Sequence, residues 1–479
     1  MPVITGEEYK RRLDAMKTDV RMEGGRLKGK ISEHPAFRGV IQTQSELYDL
    51  QHHPDWKDTL TYTSETSGNA IGLSYLIPKS RGDLERRRTM VQHWARHTGG
   101  VLGRSPDYMN TVLAAFAASV DLLDGEENCY PERLLRFYEY ARENDLSFTH
   151  TFVNPQSNRG KLAFLEEDVT NARIVDRTEA GLVMKGAKLL ATQGGMTDEL
   201  IVFSAPGAVD NSHAYGFSIP SDTKGLTFIC RESFASAGSA FDYPLSSKYA
   251  EMDTIVLFDD VIVPWERVFF HDNLRAATQM YVKGKFVPFT LHQIVSRQVV
   301  KSEFMLGIAQ RIVDTINIEE YQHVQSKVVE IVKGVQTQKA LLLLSEQEAE
   351  VDATGIMVPS RQPLYVAINN FQEFYPRFSE IVQLLGASGL MSIPKEKEFL
   401  SETGERLNHY LQGVDVKGKE RVALFRLAWD MTMSSFGARQ TLYERFFFGD
   451  PIRLSQSIYA LYDDENSQEL VSKFLPEES

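Results

Sequence analysis

The densest chemistry in the chain lies in the stretch Ser147–Arg159, SFTHTFVNPQSNR. One imidazole, His150, stands among hydroxyls (Ser147, Thr149, Thr151), amides (Asn154, Gln156, Asn158) and the guanidinium of Arg159. Pro155 disfavours helix at Asn154, so an extended or turned loop is expected. Such a loop presents donors and acceptors to a polar heteroaromatic ligand; an ordinary polar domain junction is the alternative. Arg104 and Tyr108, in GRSPDYMN, lie four apart at an expected helix start, with Pro106 near the first turn. At that spacing a guanidinium and a phenol can point the same way. With His150 they would form a cluster of three donors suited to a phenolate or peroxide oxygen. A plain surface Arg–Tyr pair is the competing reading.

Other motifs are weaker. His93 and His97, in HWARH, share a helix face and are possible metal ligands, but Trp94 stands where a zinc-protease motif needs Glu, and no third ligand is apparent. A packed or hydrogen-bonding pair is the expectation, with no metal. No Walker loop occurs. Gly386-Ala387-Ser388-Gly389 lies in a helical context and Gly194-Gly195 lacks the lysine, so a Rossmann dinucleotide site is not supported. Near the C-terminus, in SFGARQTLYERFFFGDP, Gly449-Asp450-Pro451 should break a helix, and Asp450 and Arg453 could meet a cofactor's polar edge. Helix capping followed by a salt bridge is the alternative there.

The elements that must carry these groups fall into three blocks. Helix is expected over Glu7–Met16, Thr43–Gln51 (with Thr43 and Glu46 as a capping box), Asp83–His97, Tyr108–Leu123 and Pro131–Asn144. Six short β-prone runs follow: Ala172–Asp176, Leu182–Lys185, Glu199–Phe203, Tyr215–Ile219, Leu226–Arg231 and Thr254–Phe258, with Asp259-Asp260 among the turn signals. They suggest a compact antiparallel barrel or sandwich, with Val261–Phe270 as its exit and Pro264 ending a strand. Helix returns from about Asn273, where Val324, Val328, Ile331 and Val335 mark a buried stripe. The expected fold class is therefore α+β: an N-terminal helical domain (1–146), a central antiparallel β-barrel (147–273) and a C-terminal helical bundle (274–479) able to build oligomers.

Bulk properties agree. A chain of 479 residues, 42% hydrophobic and 24% charged, can bury a substantial core. A net charge of −13 argues against a nucleic-acid partner. Cys129 and Cys230, far apart, fit a reducing cytoplasm rather than a disulfide framework or a thiolate metal cluster. The start of the chain lacks a secretory core, and the apolar run Val112–Leu123 is too short to span a bilayer, so neither secretion nor membrane insertion is expected.

Several strings, GRSPDYMN, SFTHTFVNPQSNR, AEMDTIVLFDDVIVPWERVF, QLLGASGL, KERVALFRLAWDM and FGARQTLYERFFFGDP, are similar to those of one family. The chain resembles the large oxygenase component of the two-component, FAD-dependent 4-hydroxyphenylacetate 3-monooxygenases from about His34 to Ser455. The resemblance implies an acyl-CoA dehydrogenase-like fold, usually tetrameric. It implies that Arg104, Tyr108 and His150 surround the substrate phenol. It implies flavin contacts from His150, Thr151 and Phe152, from Gln156, Ser157, Asn158 and Arg159, from Thr192, and from Asp450, Pro451, Ile452 and Arg453. A flap after Phe203 should close over substrate; this chain departs there, reading Ser204-Ala205-Pro206, so Ala205 and Pro206 offer few hydroxyls to a substrate carboxylate.

The implied reaction is ortho-hydroxylation of a phenol, by default 4-hydroxyphenylacetate, with simple phenols, halophenols and nitrophenols as the alternative substrates. It uses O2 and reduced FAD delivered by a separate NAD(P)H:flavin reductase. Arg104 would stabilise phenolate charge, Tyr108 orient the oxygen, and His150, titrating near neutrality, relay the phenolic proton. An acyl-CoA dehydrogenase would need a glutamate base, which has no clear counterpart here. An iron–sulfur dehydratase would need more than two cysteines. A non-catalytic helical scaffold would respond to no flavin.

Overall fold

Explicit start signals set the helices of the first third. The computed structural model describes residues 3–155, 170–204, 207–208, 210–235, 239–463 and 465–475. Arg81–His97 starts at Ser80, whose side chain accepts from the Asp83 N–H while the Asp83 carboxylate accepts from the Ser80 N–H. Pro106 and Pro131 occupy the first turns of Pro106–Ala117 and Pro131–Asn144, where a missing N–H leaves no bond unmade. Pro106–Ala117 is buried along its whole length, so it runs through the interior. Arg38–Leu50 begins earlier than expected; Thr43 is therefore mid-helix, and its hydroxyl bonds back to the Gly39 carbonyl at 3.1 Å instead of capping.

The strands form two open sheets, not a closed barrel. The first orders Gly25–Arg26, Val20–Met22, Leu226–Cys230, Asp253–Pro264, Gly181–Thr192 and Arg173–Thr178; the second orders Val268–His271, Tyr215–Pro220, Glu199–Phe203 and Phe148–Thr151. Met184, Phe228 and Val256 of one sheet share a core with Leu200, Val202 and Phe217 of the other, so the sheets pack face to face. Among the described residues no ladder joins them; one isolated bridge does, Val153 with Leu189.

Nor is the pairing purely antiparallel. Val20–Met22 runs parallel to Leu226–Cys230, and Phe148–Thr151 parallel to Glu199–Phe203. Parallel partners need a crossover, so no hairpin signal announces them. The expected loop at Ser147–Thr151 is accordingly a strand over Phe148–Thr151. Asp259-Asp260, expected as a turn, is a bulge inside Asp253–Pro264: Asp260 has φ 50° and the register shifts between Phe258 and Val261. The strand ends at Pro264, as expected.

Long helices close the chain, chiefly Phe286–Thr315, Gln322–Gln347 and Arg361–Gly386. Val324, Ile331 and Val335 are buried in their shared core. The helix Ser435–Phe446 crosses back toward the sheets and brings Arg439 and Tyr443 to the site. Among the described residues, no helix is long and apolar enough to cross a membrane.

Candidate functional site

Arg104 is held first by its backbone. Its N–H donates to Glu251 Oε1 at 2.6 Å, the Gly103 N–H donates to Oε2 at 3.2 Å, and the Arg104 carbonyl accepts from Gln193 Nε2 at 3.2 Å. Its Nη1 donates to the Gly103 carbonyl and to the Tyr443 hydroxyl. The guanidinium carbon lies 4.1 Å from the Tyr108 ring centroid, 5.4 Å from that of Tyr443 and 5.3 Å from that of Phe447. Three rings thus cage one cation. Its Nε is buried without a hydrogen-bond partner among the described residues. An orphaned donor on a buried cation is costly, and it marks where a ligand's acceptor belongs.

Tyr108 sits in the first turn of Pro106–Ala117, and its ring centroid is 5.7 Å from that of His150. His150 pairs with Ile201 inside the second sheet, and Phe152 packs behind it at 4.5 Å between ring centroids. Tyr108 is 2% exposed and His150 7%. Neither the Tyr108 hydroxyl nor the imidazole has a hydrogen-bond partner among the described residues. Burial, and then the Arg104 charge, hold the His150 pKa well below its ordinary value. The expectation of titration near neutrality is therefore corrected: His150 is neutral at pH 7. Burial raises the Tyr108 pKa against the opposing pull of Arg104, so its hydroxyl stays protonated and can donate.

The walls are aromatic. Phe152 meets Tyr281 and Phe286 edge-on, with centroids 6.1 and 6.0 Å away. Tyr281 also donates to the Ser204 carbonyl at 3.1 Å, where the expected flap begins. The base of that flap is closed by Ser204 and Tyr215, with the Tyr215 N–H donating to Ser204 Oγ at 2.7 Å. Thr151 is tied to the first sheet through its hydroxyl, which donates to the Leu189 carbonyl at 2.7 Å. Thr192 donates to Asp253 Oδ1 at 2.9 Å, and its carbonyl accepts from the Thr149 hydroxyl at 2.7 Å.

The structure therefore brings Arg104, Tyr108, His150 and Phe152 together, with Thr151 and Thr192 on the adjoining strands. Gln156, Ser157, Asn158 and Arg159, and the flap positions Ala205 and Pro206, lie outside the described residues. Asp450, Pro451, Ile452 and Arg453 are not joined to the trio. Asp450 caps Pro451–Leu461 by accepting from the Ile452 N–H at 2.9 Å, and Arg453 is exposed with no ion pair among the described residues. Leu454, one residue on, is buried in the same core as Tyr108. His93 packs against Trp56 with centroids 4.0 Å apart and the rings tilted by 39°, and His97 Nε2 lies 3.0 Å from Glu46 Oε2. No cluster among the described residues could hold a metal ion.

Sequence reasoning missed Tyr443, Phe447, Tyr281, Glu251, Gln193 and Arg439. One signal was available: Arg439, Tyr443 and Phe447 lie four apart, on one helix face. A cavity of about 690 Å³ near Arg81, Lys285 and Arg361 shares none of the site's residues.

Comparison with known proteins fits this geometry. Family models described as 4-hydroxyphenylacetate 3-hydroxylase N terminal and C terminal match residues 5–270 and 277–476. A probable 4-hydroxyphenylacetate 3-monooxygenase of Bacillus subtilis is 53% identical over 477 residues, covering 99% of each chain. The oxygenase component of 4-hydroxyphenylacetate 3-monooxygenase from Thermus thermophilus is 42% identical over 476 residues, covering 99% of this chain and 97% of that one. A crystal structure of the oxygenase component (HpaB) of such an enzyme, complexed with FAD and 4-hydroxyphenylacetate, superposes with a TM-score of 0.94 at 41% identity, covering 98% of each chain. The chain belongs to the 4-hydroxyphenylacetate 3-hydroxylase (HpaB) family.

Proposed function

We propose that this protein hydroxylates 4-hydroxyphenylacetate next to its phenolic oxygen, giving 3,4-dihydroxyphenylacetate. It works as an oxygenase component with O2 and FAD reduced by a separate NAD(P)H:flavin reductase. The observation that carries the reading is the Arg104–Tyr108–His150 cluster, where a buried guanidinium nitrogen, a phenol and an imidazole converge with no hydrogen-bond partners of their own among the described residues. Aromatic walls beside that cluster suit a flat ring pair. Thr151, Phe152 and Thr192 flank the isoalloxazine in this reading, and Asp450 to Arg453 meet the cofactor's outer portion.

Bound reduced FAD supplies the activation of O2. The chain's own groups prepare the phenol. The Arg104 guanidinium holds negative charge on the phenolic oxygen. Tyr108 donates a hydrogen bond to the same oxygen. A ring nitrogen of neutral His150 accepts the phenolic proton, leaving the ring electron-rich. Phe152, Tyr281 and Phe286 keep water from the reacting atoms.

The proposal extends to a homotetramer in the cytoplasm, with acyl-CoA dehydrogenase-like kinship at the level of fold. Exposed apolar side chains in the C-terminal third, among them Tyr459, Phe474 and Met391, support assembly. The test is an assay of a small phenol panel with any FAD reductase, scoring catechol against hydrogen peroxide. Catechol formation from 4-hydroxyphenylacetate is expected; peroxide alone from every phenol would refute the reading.

A further inference from the structure

We propose that Arg439 is a positioning residue that sets the phenol-side and flavin-side groups of the site from one buried guanidinium. This rests on the functional reading above. Arg439 Nε donates to Asp253 Oδ2 at 2.5 Å and Nη2 to Asp253 Oδ1 at 2.6 Å, while Nη1 donates to Glu251 Oε2 at 3.2 Å. Its side chain is 8% exposed, that of Glu251 not at all.

Each carboxylate has a second task. Glu251 accepts the backbone N–H groups of Gly103 and Arg104, so it fixes where the caged cation starts. Asp253 accepts the Thr192 hydroxyl across the strand pair in which the two residues face one another. Arg231 also reaches Asp253, its Nε donating to Oδ2 at 3.0 Å. Arg439 binds both carboxylates at once and so offsets the repulsion between them. Among the cations of the described residues, only Arg439 donates from its side chain to both carboxylates. That takes a planar fork, which lysine lacks.

The helix that carries Arg439 adds the other half of the device. One turn on, Tyr443 accepts from Arg104, and one turn further Phe447 stacks on Tyr443 with centroids 4.5 Å apart and planes 3° apart. One helix face therefore clamps the site from behind and walls it from the side. Residues from the N-terminal helices, the strands and the C-terminal helices meet at this point. A small slip of Ser435–Phe446 would move the Arg104 and Thr192 sides together.

The test uses the full chain and three variants, Arg439→Lys, Glu251→Gln and Asp253→Asn. Native-state hydrogen exchange at the Gly103 and Arg104 amides needs no ligand; it should quicken about tenfold or more in Arg439→Lys and Glu251→Gln, with Pro131–Asn144 unchanged. Anaerobic titrations should show Arg439→Lys weakening both reduced FAD and 4-hydroxyphenylacetate about tenfold. Glu251→Gln should weaken mainly the phenol and Asp253→Asn mainly FAD. In an Arg104→Ala background, Arg439→Lys should cost little further phenol affinity, a non-additivity that general loosening would not give. Unchanged exchange at Gly103 and Arg104, or additive losses, would overturn the assignment. If Arg439→Lys does not fold, the Glu251→Gln exchange result decides the matter alone. Absence of phenol and FAD binding in the unaltered protein would refute the functional reading instead, while exchange still judges the positioning role.

Discussion

Arg104 Nη1 donates to the hydroxyl of Tyr443, a residue 339 positions later in the chain. The cation at the centre of the site is thus shared between the N-terminal helices and the C-terminal bundle, and several consequences can be measured.

Removing the cation should cost substrate binding. A hydrogen bond to a charged group contributes about 1.5–3 kcal/mol. Arg104→Ala should therefore raise the phenol's Kd roughly ten- to a hundredfold. Arg104→Lys should recover only part, because an ammonium keeps the charge but loses the flat contact with the Tyr108, Tyr443 and Phe447 rings. Equilibrium titration of 4-hydroxyphenylacetate against both variants checks this; a normal Kd in Arg104→Ala removes the residue from the site.

Gly103→Ala tests the cage without touching a charge. A Cβ there would lie 2.5 Å from Tyr443 Cζ and 2.6 Å from its hydroxyl oxygen. The ring must move, and overpacking of this kind costs roughly 1–3 kcal/mol. The expected result is a lower thermal midpoint together with weaker phenol binding. Loss of stability with unaltered binding would show that Tyr443 does not hold Arg104 in place.

His150→Ala should uncouple the enzyme. Oxidation of reduced flavin continues, but with the phenolic proton lacking its acceptor, catechol per flavin falls severalfold and hydrogen peroxide rises. The depressed pKa also fixes a sign. As pH falls through about 6.5, the unfolded chain protonates this imidazole and the folded chain does not, so stability declines. His150→Phe should lose that portion of the decline, seen as a smaller drop in unfolding free energy between pH 7 and 5. Equal drops in both proteins would contradict the burial of a neutral imidazole.

Lys188 gives an alkaline window of the same sign. It is buried between the sheets with Nζ bonded to the Phe152 carbonyl at 3.2 Å and Asn154 Oδ1 at 2.8 Å, and burial pushes its pKa down to about 7. Between pH 7 and the ordinary lysine value the unfolded chain holds a proton that the folded chain has lost, so stability rises with pH there. Denaturant unfolding at pH 7 and 9.5 should show that gain, of a few kcal/mol, reduced in Lys188→Met by about that amount. A gain of the same size in the variant would mean that the ammonium is solvated after all.

Local signals read well where local forces decide. Pro131–Asn144 and Glu199–Phe203 match the expected bounds because a first-turn proline and a β-branched run dominate them. The strand Phe148–Thr151 was hidden because its parallel partner begins at Glu199, beyond the reach of any turn signal. Closure into a barrel did not follow from counting β-prone runs, since the sheets bury their facing sides without sharing a ladder. For the site, Arg104 and Tyr108 could be paired from their spacing. Glu251 and Arg439 could not, because what makes them matter is whom they meet across the fold.

A ribosome must finish almost the whole polypeptide before the bond between Arg104 and Tyr443 can exist. Until the helix Ser435–Phe446 emerges and docks, the Arg104 guanidinium has the Tyr108 ring but lacks its two C-terminal ones. A copy clipped before Ser435 would lack the Tyr443 and Phe447 rings on one side of that guanidinium.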